Sequence, residues 1–210
     1  MRPKHITITA LTQDDDGIAE AQQLAQAGEL DLDGTAVVDG VAVLNPARRV
    51  TLTCSGNLSG VNFTITGKNR AGTPISETLA GPNSTTVATK KVFAEVSSIS
   101  ADGAVGTNVE AGWGVEAVSA PIPLDRYRNP FNVGIGCTVV SGTPTFTVEH
   151  TFDDVQDREW NEGSGNWFSH ASIEDESTNV DGHYAFAVSA IRIRVTAGPG
   201  SVLFSVHQSG

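Results

Sequence analysis

Five histidines and twenty-four carboxylates are the raw material for acid–base or metal chemistry in this chain. His150 stands nearest to acids, in the run HTFDD. On an extended strand His150, Phe152 and Asp154 share a face and Asp153 points away. A histidine with an orienting carboxylate is the beginning of a general base. Here the pattern stops, because no nucleophile or oxyanion donor can be placed beside it, and a polar strand end running into an acidic loop accounts for it. The runs DDD at 14–16, DLDG at 31–34 and DDVQDREWNE at 153–162 offer hard oxygen ligands of the kind calcium takes. None matches a twelve-residue calcium loop with its terminal bidentate Glu, and acidic loops are ordinarily solvated surface. G-x-S-x-G, H-E-x-x-H, the P-loop and a helix-opening G-x-G-x-x-G are all missing. No catalytic residue, metal or cofactor is therefore expected, and the protein reads as a non-enzyme.

Aromatic residues on a loop carry a different kind of chemistry. Trp160, Trp167 and Phe168 fall among Gly, Asn and Ser, with Arg158 beside them. Exposed tryptophan is costly unless it folds back on its own domain or meets a partner, and Trp with Arg typifies interface anchors. Two readings stand: a lid over the domain's core, or an interface built from Arg158, Trp160, Trp167 and Phe168.

The elements that must carry these residues are strands. VTLTC from Val50 and VGIGC from Val133 hold a valine and a cysteine in the same phase, and Phe63-Thr64 recurs as Phe146-Thr147, each 83 residues on. Val96-Ser97-Ser98-Ile99 recurs as Val188-Ser189-Ala190-Ile191 at an offset of 92, and Val109 aligns with Val202 at 93. The drift points to an insertion in the second copy, at REWNEGSGNWFSH. This is the signature of internal duplication. Each cysteine lies on the apolar phase of its strand and reads as a small core residue of its own half.

Short alternating runs punctuated by Gly, Pro and Asp-Gly pairs predict an all-β chain of two tandem antiparallel β-sandwich-like domains. The predicted organisation is an N-terminal arm over 1–45, a first repeat over 46–118, a Pro-rich linker over 119–130 and a second repeat over 131–210. Within the arm HITITAL reads as a strand. IAEAQQLAQAG at 18–28 reads as one short helix, capped by Asp16 and ended by Gly28. AIRIRVTA alternates, with Ile191, Ile193 and Val195 inward and Arg192 and Arg194 outward, facing solvent or a partner.

The formal charge of −11 opposes a sequence-independent grip on nucleic acid and on anionic membranes, and favours solubility or a basic partner. The first residues lack the apolar run of a secretory signal, and no stretch approaches 18 apolar residues.

The run ITGKNRAGTPISETLAGPN, then TTV and KKVFAEVSSISADGAVGTNVEAGW, resembles a group of tailed-bacteriophage virion proteins. PLDRYRNPFNVGIG, FTVEHTFDD, NWFSH, YAFAVSAIRIRV and SVLFSVHQSG are similar to the second half of the same group, so the resemblance spans about residues 48 to 210. It implies a virion structural protein made in the host bacterial cytoplasm, and it transfers no catalytic residue. The expectation is a capsid decoration or cement protein contacting the major capsid protein or other virion proteins, as a trimer or dimer. A neck or tail component (tail-tube or adaptor) is the alternative within the particle. A carbohydrate-binding or adhesion module, stacking sugars on Trp160, Trp167 and Tyr184, is the alternative outside it.

Overall fold

Alternating β-branched and polar residues build nineteen strands in the computed structural model, which describes residues 3–157, 160, 163 and 165–209. Among the described residues every strand pairing is antiparallel, and there is no helix. Contacts divide the chain into two units: residues 13–114, and residues 1–12 together with 115–210.

The chain opens with β1 (Lys4–Ala10), which belongs to the second of these units. The unit 13–114 then follows with β2 (Asp14–Leu24), β3 (Gly28–Glu29), β4 (Val37–Val38), β5 (Val41–Arg48), β6 (Thr51–Cys54) and β7 (Asn62–Lys68). It ends with β8 (Pro74–Ala80), β9 (Thr86–Ala88), β10 (Phe93–Ala101) and β11 (Val105–Trp113). Its sheets run β2-β11-β6-β9 and β4-β5-β10-β7-β8, with β3 added on β10. Val50, Leu52 and Cys54 come from one layer, and Phe63, Ile65, Val96 and Ile99 from the other. They meet in one buried apolar cluster, the arrangement of a β-sandwich.

The other unit completes β1 with β12 (Ala117–Val118), β13 (Ile122–Pro123), β14 (Asn132–Gly142), β15 (Thr145–Thr151) and β16 (Phe168–Ser169). Its last strands are β17 (Val180–Tyr184), β18 (Ala190–Ala197) and β19 (Gly200–Ser209). Its sheets run β1-β19-β14-β17 and β12-β18-β15-β16, with β13 added on β18. Ile8, Val133, Ile135 and Phe204 face Phe146, Val148, Ile191 and Ile193 in its own apolar cluster.

The two units share a strand plan. In each, the first strand pairs with the last (β2 with β11, β1 with β19), and the cysteine strand (β6 or β14) lies on the far side of that last strand. Ladder partners depart slightly from the sequence correspondences. Phe63 and Ile65 pair with Ala101 and Ile99, whereas Phe146 and Val148 pair with Val195 and Ile193. Cys54 pairs with Val109, and Cys137 with Phe204. The partners therefore stand two residues further apart than the sequence offsets of 92 and 93 imply. Two residues is one full pleat, so a slip of that size leaves the same side chains facing the core. The ladders carry register shifts between Val96 and Ser98 in one unit and between Thr145 and Phe146 in the other.

The helix expected over 18–28 does not form, because that sequence lies largely within β2. An eleven-residue helix is marginal in water by itself. As a strand the segment bonds to β11 and buries Ile18 and Ala19 completely. The register slips three times along this pair, and the close approach at its start leaves no space for a side chain on Gly112, whose Cβ would strike the Asp14 carbonyl. The stretch 1–45, expected as an arm, is divided between the units: β1 lies along β19, and Leu30, Ala42 and Leu44 sit in the core of the unit 13–114. The Pro-rich stretch 119–130 carries β13 and buries Ile122 and Leu124.

Candidate functional site

At the end of β15 the inward phase runs past the edge of the sandwich. Phe146 and Val148 are enclosed, but the next residue on that face, His150, is ringed by Phe152, Phe168, Tyr184 and Phe186. Ring centroids lie 5.5, 5.8, 5.2 and 5.7 Å from the imidazole, within the range of offset and edge-to-face aromatic pairs. Phe152 also meets Phe168 at 5.9 Å and Phe186 at 6.4 Å. His150 and Tyr184 are buried, whereas Phe152, Phe168 and Phe186 are 54, 50 and 51% exposed. The result is an apolar patch with a buried polar pivot.

The pivot is held neutral. Burial, and then the charge of His170, pushes the His150 imidazole below its ordinary range. Burial pushes the Tyr184 phenol well up, with the charge of Glu149 adding to it. The Tyr184 hydroxyl and His150 Nδ1 are 3.3 Å apart, the donor being set by the imidazole tautomer. His170 packs edge-on against Tyr184 at 4.8 Å. Its Nδ1 accepts from the Ser172 amide at 3.2 Å, which leaves Nε2 to donate to the His183 carbonyl at 3.2 Å.

Outward-facing residues of the same strands form an ionic cluster. Arg192 Nε donates to Glu149 Oε2 at 2.7 Å and Arg194 Nε to Glu149 Oε1 at 2.9 Å, with Glu116 3.8 Å from Arg194. Arg192 and Glu149 are buried. Over Arg192 lies Trp167, whose ring centre is 3.8 Å from the guanidinium carbon, a cation–π contact. The alternation read in AIRIRVTA therefore holds, but Arg192 ends in a buried ion pair instead of facing solvent or a partner.

Of the residues singled out from sequence, Trp167 lies over the ionic cluster and Phe168 on the patch. Trp160 packs edge-on against Trp167 at 6.3 Å. Arg158 lies outside the described residues. Tyr184 is almost wholly buried, which removes it as a sugar-stacking platform. Asp153 and Asp154 bond to neighbouring loop amides: Asp153 accepts from the Asn166 amide at 2.7 Å, and Asp154 from the Gln156 amide at 3.1 Å. Phe152 and Phe186 belong to the patch and were not singled out. Their signal was phase, since each continues the inward face of its strand beyond His150 or Tyr184. Among the described residues no group of three or more His, Cys, Asp or Glu is placed to hold a metal. Both cysteines are free and buried, Cys54 in one core and Cys137 in the other. Burial pushes the Cys137 thiol up to about 12.

The sequence matches no protein-family model and no curated protein. Among solved structures, allantoicase from Saccharomyces cerevisiae aligns over 96% of this chain and 93% of its own, at 8% identity and a TM-score of 0.24. A likeness at that score carries no argument about fold or function.

Proposed function

We propose that this protein is a non-enzymatic structural component of a bacteriophage particle, a decoration or cement protein that docks on the major capsid protein. The observation that carries the reading is the patch of Phe152, Phe168 and Phe186 around His150. Half-exposed aromatic residues clustered on one face, held by a packed and neutral base, are what a protein–protein contact needs at its centre. The phage-like phrasing of residues 48 to 210 supports a partner within the particle. The common strand plan of the two units supports descent by doubling of one ancestral sandwich.

The test is to assemble heads with and without the protein and to challenge them by heat and osmotic shock. Resistance is expected to fall when the protein is omitted, and Phe152→Ser/Phe186→Ser protein is expected not to restore it. Heads that are equally resistant without it, or a label confined to a single vertex, overturn the decoration reading.

A further inference from the structure

The unit formed by 1–12 and 115–210 also carries a cleft of about 480 Å³, walled by residues 123–128 on one side and Asp154, Val155 and Gln156 on the other, with Ser189 and Gln208 beneath. Hydrogen bonds tie its walls together. Gln208, buried, clamps the backbone of Asp125 from both sides: its Oε1 accepts from the Asp125 amide at 2.9 Å and its Nε2 donates to the Asp125 carbonyl at 2.8 Å. Asp125 in turn accepts from the Tyr127 amide at 3.1 Å and from Arg128 Nε at 3.2 Å. The opposite wall repeats the device, Asp154 accepting from the Gln156 amide. Arg126 ties the two walls, donating to Ser189 Oγ at 3.4 Å and lying 3.7 Å from Asp154. Tyr127, its backbone fixed by Asp125, is 84% exposed, with the Arg126 guanidinium 5.5 Å from its ring centre.

The lining selects a ligand class. Two aspartates and two arginines cancel, so neither an anion nor a cation is favoured. Tyr127 supplies the exposed aromatic face, and the rest is dominated by planar polar groups: carboxylates, guanidinia and the amide of Gln156. Such groups pair with neighbouring hydroxyls, each of which both donates and accepts. An aromatic ring beside them takes the apolar C–H face of a ring-shaped polyol. The volume lies in the range of small-ligand sites.

We propose that this cleft binds a neutral oligosaccharide, with Tyr127 as the stacking platform and Asp154, Gln156 and Arg126 as the hydroxyl-binding groups. The site is separate in residues from the aromatic patch and does not depend on the particle reading. Titration calorimetry of the full chain with maltohexaose, cellohexaose, xylohexaose and chitohexaose tests it. Saturable binding of at least one is expected, weakened about tenfold or more by Tyr127→Ala and by Gln156→Ala. Tyr127 is solvent-facing, so its variant is expected to melt with the parent, and Trp167→Ala is expected to leave the affinity unchanged. No saturable binding to any of the four, or binding that survives Tyr127→Ala, overturns the proposal.

Discussion

At the residue scale, two buried polar groups set measurable properties. Glu149 is the shared acceptor for Arg192 and Arg194, and Arg192 is buried beneath Trp167. Removing the carboxylate strands a buried guanidinium, so Glu149→Ala is expected to destabilise the protein by about 3–5 kcal/mol in urea unfolding at neutral pH. A variant within 1 kcal/mol or so of the parent would show the cluster to be solvated. His150 gives the second property. Its folded-state affinity for a proton lies below that of an ordinary imidazole of pKa 6.5, so the unfolded chain takes up the proton first. Its contribution is thus complete above about pH 6.5 and is lost as pH falls, with a slope no steeper than about 1.4 kcal/mol per pH unit for one proton. Urea midpoints measured from pH 7.5 down to 5.5 are expected to fall more for the parent than for His150→Gln; equal falls would remove His150 as the cause. The sequence marked His150 and Trp167 by residue type. It did not disclose that Trp167 stacks on Arg192, because that contact joins a loop to a strand across 25 positions and leaves no periodic trace.

Elements were legible where alternation ran unbroken. NFTITGK and AIRIRVTA have the inward faces that their spacing predicts, with Phe63 and Ile65, and Ile191, Ile193 and Val195, all enclosed. β2 was not legible, because Ile18, Ala21 and Leu24 fall at helical spacing while three register slips with β11 erase any period of two. What decides its state is a neighbour more than eighty residues away. That dependence is testable at Gly112, where a methyl group would meet the Asp14 carbonyl. Gly112→Ala is expected to cost about 1–3 kcal/mol, seen as a lowered melting temperature. Gly106→Ala, on the same strand with open space around its Cβ position, is expected to stay close to the parent.

On the scale of the whole molecule, the sequence offered a recurring strand pattern, and contacts divide the chain at points that composition does not mark. Composition marks Pro-rich stretches, whereas the division into units follows strand partners that only the fold brings together. The unit 13–114 is one continuous segment with its own apolar cluster, and its ends are paired, Asp14 with Trp113. A fragment of residues 13–114 is therefore expected to unfold cooperatively on its own, by circular dichroism against urea. A fragment of 115–210 lacks β1, leaves the edge of β19 bare and is expected to aggregate. A soluble, cooperative 115–210 fragment would show that β1 is dispensable.

The pairing of β1 with β19 also governs timing during synthesis. Lys4 to Ala10 leave the ribosome well before their partners, Val206 to Gly200, have been made. In the interval the segment 13–114 is already complete, and once folded it holds its two ends together. The nascent chain then has a far shorter span to close than the sequence separation of 200 between His5 and Ser205. The continuous unit thus acts as a splint for the one whose sequence it interrupts.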